Sequence, residues 1–161
     1  MSIALVGCGT VGDTVRGLSR PAPHKRADNE DQPLLDAARA DQEKVLGTAT
    51  TTLAAHASLK DVLDLVIAHH RTHVQALGGG ASDAPSPSAT SSPTAPIPTN
   101  PAAALRALLT VERDAALARA SDTTRAVSGE FAQVLAAVSA SQAQHVVVLG
   151  SAVARIGKSR A

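Results

Sequence analysis

Four stretches of the chain carry apolar residues at helical spacing, and a segment without this pattern separates the first two stretches from the last two. That segment, residues 78–99, contains only Gly, Ala, Ser, Thr and Pro besides one Asp and one Ile. The predicted helices span residues 33–56, 58–77, 101–126 and 129–155. Because all of the periodic sequence is of the helical type, we predict an all-α fold.

Residues typical of helix ends stand at these boundaries. Pro33 and Pro101 suit the first turn of a helix, where the missing N–H has no helical partner. Ser58 and Asn100 are good N-caps for the second and third helices. Gly78 follows the second helix and is expected to end it.

The composition limits the core and the classes of partner. Phe131 is the single aromatic residue, so the core must consist of Ala, Val, Leu and Ile, which suits close helix–helix packing. A net charge of +1 without stacking aromatics argues against a nucleic-acid partner. The single cysteine, Cys8, excludes an internal disulfide and a zinc site built on paired cysteines.

The length of the segment between the second and third helices favours one topology. Its 22 residues span up to about 68 Å in an extended conformation, roughly twice the length of a 20-residue helix. A hairpin needs only a short loop, whereas this segment is long enough to pass from one end of a bundle to the other. We therefore expect an antiparallel four-helix bundle with a long crossover between helices 2 and 3, which is the ferritin-like topology.

Six polar residues occupy positions where helical spacing directs side chains to the core: Asp41, His70, His73, Glu112, Gln142 and His145. Gln42 fits the same register as its neighbour Asp41. The turn before the fourth helix has two candidates, 121–122 and 128–129. We place it at 128–129, because only then does Glu112 lie level with residues 142–145, as Asp41 lies level with His73. His56 and His69 are expected to face the helix ends or solvent.

The stretches 67–77 and 140–149 resemble a group of small actinobacterial ferritin-like proteins, several of which have lipoprotein-like N-termini. The resemblance covers about residues 33–155 and implies a di-metal carboxylate site in the core of the bundle. The chain departs from that pattern at three positions. Asp41 stands where the family has Glu, His70 replaces the Glu of the first Glu-x-x-His, and Gln142 replaces the Glu of the second.

These departures change the metal chemistry that the resemblance implies. A di-iron pair needs four carboxylates, and the layer retains Asp41 and Glu112 beside three imidazoles. That supply suits one divalent ion better than two, and a non-catalytic domain. Zn, Fe(II), Cu(II) and Ni(II) all accept such ligands, and we take Fe or Zn as the expected ion. The alternative is a structural layer of hydrogen-bonded pairs without metal. In that case the chain is an interaction module, and the apolar run Val146–Leu149 suggests a second copy or a helical protein as partner.

The N-terminus supports two further interpretations. Leu5-Val6-Gly7-Cys8 resembles a bacterial lipobox, which implies lipidation of Cys8 and an extracytoplasmic domain anchored to the membrane surface. Residues 1–32 are then a truncated signal and a disordered polar tether, with 156–161 as a disordered tail. The seven residues before Cys8 include no Lys or Arg, contrary to an export signal. If this segment is an unprocessed extension without a role, the protein is cytoplasmic.

The second interpretation is a dinucleotide-binding fingerprint. Gly7, Gly9 and Gly12 match the G-x-G-x-x-G pattern after a short apolar run, which would make the chain part of an NAD(P)-dependent enzyme. That fingerprint requires a strand–helix–strand unit, and no second apolar strand follows in the sequence. A substantial strand content in the folded protein would revive it.

Overall fold

The computed structural model describes residues 30–79 and 96–158. Within them four α-helices form: α1 (Gln32–Ala55), α2 (Lys60–Ala76), α3 (Pro101–Arg125) and α4 (Gly129–Lys158), with one 3-10 turn at Ala57–Leu59. This part of the chain contains no strand. The all-α prediction is therefore confirmed for the described residues, which lack the sheet that the dinucleotide interpretation needs.

The helix ends follow local chemistry. The Asn100 side chain accepts hydrogen bonds from the N–H groups of Ala102 (2.9 Å) and Ala103 (3.2 Å), as expected of an N-cap. Gly78 ends α2 with a φ of 78°, in the left-handed region that glycine enters without strain. Ser58, in contrast, lies inside the 3-10 turn and does not cap α2, whose N-cap is Leu59.

The turn before α4 lies where the polar layer required it. Helix α3 ends at Arg125 and α4 begins at Gly129, so the choice of 128–129 over 121–122 is confirmed. The Asp31 carboxylate, at the start of α1, accepts hydrogen bonds from the backbone N–H groups of Val127 (2.9 Å) and Ser128 (2.7 Å). This contact ties the first described residues to the α3–α4 turn. At its other end α4 continues to Lys158, three residues past the predicted boundary.

The inward positions of the helices alternate in steps of three and four residues, the spacing of a narrow packed seam. Helix α1 contacts α2 and α3, and α4 contacts the same two helices. In α1 the buried residues are Ala38, Gln42, Val45, Ala49 and Thr52. In α4 they are Leu135, Val138, Gln142, His145, Leu149 and Ala152.

Two apolar clusters form the core, and the polar residues lie between them along the helices. The larger cluster includes Ala49, Leu63, Leu105 and Leu149. The smaller one consists of Ala38, Leu77 and Leu135. In α1, Gln42 lies between members of the two clusters, and Gln142 and His145 do so in α4. The polar layer is thus enclosed by aliphatic packing above and below, which raises the cost of any polar group left without a partner.

By length and composition alone, α4 is the one helix of the described chain that meets the requirement for crossing a membrane. Core helices of soluble proteins meet the same requirement. In this protein 28% of the apolar window of α4 is buried, and Gln142, His145 and Leu149 are among the buried residues of the helix.

Candidate metal centre

Three helices each contribute one buried metal-ligating side chain to a single cluster. His70 comes from α2, Glu112 from α3 and His145 from α4, with exposed fractions of 0%, 0% and 2%. Each occupies an inward position of its helix, so packing of the helices brings them together. One ligand atom from each of the three lies within 4.8 Å of the others.

The Glu112 carboxylate is the centre of this cluster. Its Oε1 lies 2.6 Å from His70 Nε2, within hydrogen-bond distance. The same oxygen lies 3.3 Å from His145 Nδ1, a close contact that lacks hydrogen-bond alignment. Two imidazoles therefore converge on one carboxylate in a site closed to solvent.

Each of these imidazoles has a second partner on its far side. His70 donates from Nδ1 to the Gln42 side-chain oxygen at 3.1 Å. His145 Nε2 lies 3.0 Å from His69 Nδ1, and the two ring planes are nearly parallel, with centroids 5.2 Å apart. Metal-binding histidines in proteins commonly have such an outer hydrogen bond, which fixes the orientation of the ring.

His73 borders the cluster without joining it. Its ring packs edge-on against His70, with centroids 5.4 Å apart, and lies 6.1 Å from the ring of His145. Burial, together with the neighbouring imidazoles, lowers the pKa of His73 to about 4. The ring is therefore neutral at physiological pH, the protonation state in which imidazole binds metals.

The electrostatics of Glu112 keep a negative charge in the core. Burial acts to raise the pKa of this carboxyl, but the contacts with His145 and His70 outweigh burial and hold the pKa below its ordinary value. The carboxylate is thus ionised at neutral pH. A buried anion facing imidazole nitrogens is a suitable environment for a cation.

Several polar atoms of the layer lack a hydrogen-bond partner among residues 30–79 and 96–158. They include Glu112 Oε2, His73 Nδ1 and both side-chain polar atoms of Gln142. Gln142 and Glu112 are fully buried. Buried polar groups in native proteins are nearly always satisfied, so such a concentration at one level marks a place suited to a bound water or ion.

The structure corrects the prediction for Asp41. This residue faces outward with a side chain 54% exposed, and its carboxylate pairs with Arg119 at 2.9 Å. Gln42 takes the inward position, because the steps from Ala38 to Gln42 and Val45 continue the alternation of four and three that α1 follows to its end. The same alternation in the sequence could have identified Gln42, and not Asp41, as the inward residue. The core layer therefore loses one of the two carboxylates assigned to it.

The structure also corrects the prediction for His69. Its ring is half-buried and contacts His145, where an end or solvent position was expected. No spacing rule identified it, because His69 flanks the inward row of α2 and is brought in by the approach of α4. His56 does lie at a helix end, where its Nε2 donates to the carbonyl oxygen of Pro98 at 2.7 Å.

The predictions for the N-terminus, lipidation at Cys8 and the glycines Gly7, Gly9 and Gly12, lie outside the described residues. Comparison of the chain with protein-family models, with curated proteins and with solved structures gives no match in any of the three.

Proposed function

We propose that this chain is a metal-binding helical domain that holds one divalent transition-metal ion on His70, Glu112 and His145. One observation carries the proposal. Glu112 is a fully buried, ionised carboxylate between two imidazoles, and its second oxygen has no hydrogen-bond partner among the described residues. A divalent ion held by the two imidazoles and the carboxylate neutralises the buried charge, and a carboxylate that binds it through both oxygens also gives the second oxygen a partner.

The donor set fits one ion better than two. Two imidazoles and one carboxylate are ligands that Zn(II) and Fe(II) both accept. A di-iron centre needs four carboxylates, and Glu112 is the one carboxylate in the layer because Asp41 faces outward. Gln42 and Gln142, at the same level, carry no charge. We therefore propose a binding site and not a di-iron centre that activates oxygen.

We further propose that the four helices form an antiparallel bundle of the ferritin-like type. The contacts between helices support opposite chain directions. His70 hydrogen-bonds to both Gln42 of α1 and Glu112 of α3, so these two residues lie at one level. Asp41, earlier in α1, pairs with Arg119, later in α3, as expected when the two helices run in opposite directions. Between α3 and α4, Ala116 contacts Ser139 while Glu112 contacts His145. Residues 56–59 and 126–128 are short connections, and 77–100 is the long one.

Metal analysis of the purified chain tests the binding proposal. The protein is freed of metal with a chelator, reconstituted separately with Zn(II) and with Fe(II) under anaerobic conditions, and desalted. We expect one equivalent per chain with either ion, and a clear loss of binding in the Glu112→Gln variant. Less than a tenth of an equivalent with both ions would refute the proposal and favour a structural polar layer.

An interaction module is the second candidate function, and exposed apolar side chains favour it. Leu65, Leu117, Val127 and Val147 are each at least half exposed. Their partner on this proposal is a second copy of the chain or a helical protein. Sedimentation at high protein concentration tests self-association, and a single monomeric species at all concentrations would contradict it.

We also propose that the domain lies outside the cell, anchored to the membrane surface by a lipid on Cys8. The sequence Leu5-Val6-Gly7-Cys8 supports this, since small residues before a cysteine are typical of lipidation signals. Intact mass spectrometry of the protein from its native membrane fraction tests the anchor. An unmodified Cys8 on a cytosolic protein would contradict it.

A further inference from the structure

We propose that His69 and Gln42 are positioning residues, which orient the two imidazole ligands of the metal site toward Glu112. The inference rests on the proposed function, because it concerns the same site. It goes beyond that proposal by assigning roles to two residues that lie outside the ligand set. Gln42 hydrogen-bonds to His70 and His69 to His145, not to Glu112, so each acts through a histidine.

The first part of the argument concerns His70. The Gln42 side-chain oxygen accepts a hydrogen bond, so the His70 nitrogen that faces it, Nδ1, must carry a hydrogen. This leaves Nε2 as the nitrogen directed at Glu112, at 2.6 Å. His70 and Gln42 are both fully buried, so no solvent molecule competes for this contact. A metal-bound His70 is therefore ligated through Nε2.

The second part concerns His145. Its Nε2 faces His69 Nδ1 at 3.0 Å, and its Nδ1 faces Glu112 at 3.3 Å. His69 Nδ1 can accept a hydrogen bond from Nε2–H of His145, so Nδ1 is the His145 nitrogen directed at Glu112, and an ion bound by His145 takes the place of any hydrogen on Nδ1. The planes of the two rings are 16° apart, with the two nitrogens facing each other, and this alignment suits a hydrogen bond that lies in the plane of both rings. His69 therefore holds the ligand nitrogen at the site.

The histidines of the cluster differ in how far they are buried. His69 is its half-buried member, whereas His70 and His145 are buried. A change at His69 therefore perturbs the core packing less than a change at either ligand. Loss of an outer hydrogen bond to a metal ligand commonly weakens metal affinity 10- to 100-fold, and we expect an effect of this size.

Binding of Co(II) and competition with Zn(II) test the roles in the full chain. His69→Ala removes the acceptor, while His69→Asn retains a side-chain oxygen close to the place of Nδ1. We expect Kd to rise about 10- to 100-fold in His69→Ala, through faster dissociation, and to return to within about threefold of the wild-type value in His69→Asn. Thr72→Ala, an exposed change on the same helix, should leave Kd unchanged.

The visible spectrum of bound Co(II) separates a positioning residue from a ligand. We expect the bands of His69→Ala to keep their positions and intensity, because the three ligands remain. A changed coordination spectrum would make His69 a ligand and overturn its positioning role, as would an unchanged Kd. A Kd raised only through slower association would assign His69 to metal entry instead.

Gln42→Leu extends the test to His70, with folding checked by circular dichroism. Because this buried change carries a risk of misfolding, nitrogen NMR of the Zn(II)-loaded wild-type chain provides an independent measurement. We expect hydrogen on Nδ1 of His70 and on Nε2 of His145, and the opposite pattern at either ring would refute the assignment for that ring. If the wild-type chain binds neither ion, the proposed function and this inference both fail. If the wild type binds metal and the His69 and Gln42 variants bind it equally well, the positioning roles are refuted and the proposed metal site stands.

Discussion

Replacing Glu112 by Gln removes the buried charge while keeping the size and polar shape of the side chain. Glu112 is fully buried, with His70 at 2.6 Å and His145 at 3.3 Å from the same oxygen. The amide still hydrogen-bonds to an imidazole but offers no anionic oxygen to a cation. The substitution therefore separates the role of the carboxylate in packing from its role in binding an ion.

The loss in the metal-free protein is expected to be small. A charge-assisted hydrogen bond contributes about 1.5–3 kcal/mol and a neutral one about 0.5–1.5 kcal/mol. The free energy of unfolding should therefore fall by about 1–2 kcal/mol. For a domain of intermediate size, this corresponds to a decrease in Tm of roughly 3–12 °C.

The difference should widen when Zn(II) is present. At a free concentration 100 times Kd, binding to the native state alone stabilises the wild type by about 2.7 kcal/mol, or roughly 8–16 °C in Tm. Replacing an anionic ligand by a neutral amide should weaken binding at least as much as loss of an outer hydrogen bond, so by about 100-fold or more. The same Zn(II) concentration then stabilises the variant by at most about 0.4 kcal/mol.

Thermal unfolding of both proteins, followed by circular dichroism with and without Zn(II), gives the Tm of each protein under each of the two conditions. Glu43→Gln makes the same chemical change at an exposed position of α1 and serves as the control. It should show the full wild-type response to Zn(II). Equal Zn(II) stabilisation of the wild type and Glu112→Gln would refute the assignment of the ion to Glu112.

Three further predictions follow from buried or capping groups. The pKa of His73 is lowered from 6.5 to about 4, so between these pH values the unfolded state binds more protons than the folded state. The free energy of unfolding should therefore fall by roughly 2–3 kcal/mol as the pH decreases through this window, after allowance for solvent screening. Denaturant titration should show a weaker pH dependence in His73→Leu, and an unchanged profile would exclude His73 as its source. Asp31→Ala removes both hydrogen bonds to Val127 and Ser128 and should lower the free energy of unfolding by about 1–3 kcal/mol. A loss below about 0.5 kcal/mol, the contribution of the weakest net hydrogen bonds, would argue that these two bonds do not stabilise the fold. Asn100→Ala removes the cap of α3 and should cost about 1 kcal/mol in the same assay, whereas Asn100→Ser should retain most of the stability.

Much of the candidate site was predicted from the sequence. His70, His73, Glu112, Gln142 and His145 were assigned to the core from helical spacing, and all five are buried. The spacing succeeds because residues three or four apart lie on one face of any α-helix, whatever packs against it. The requirement that Glu112 be level with His145 also selected the correct turn before α4.

Two assignments made from the sequence were wrong, those of Asp41 and His69. Asp41 and Gln42 are adjacent polar residues, and a rotation of about 100° around the helix axis separates adjacent positions. Hydrophobicity alone does not choose between them, but the buried Arg119 provides an ion-pair partner for the half-exposed Asp41. His69 was missed because its contact with His145 crosses between helices, at a sequence separation of 76 residues.

The sequence by itself determined the helices and most of their ends, because Pro, Asn and Gly act on the backbone within one turn of their own positions. It also determined which residues form the polar layer, since that follows from the helical period. Only the tertiary structure decided which nitrogen faces which oxygen, that the layer holds one carboxylate, and that His69 lies beside His145. These depend on the rotation and approach of neighbouring helices, which the packing of the whole core sets and no local pattern encodes.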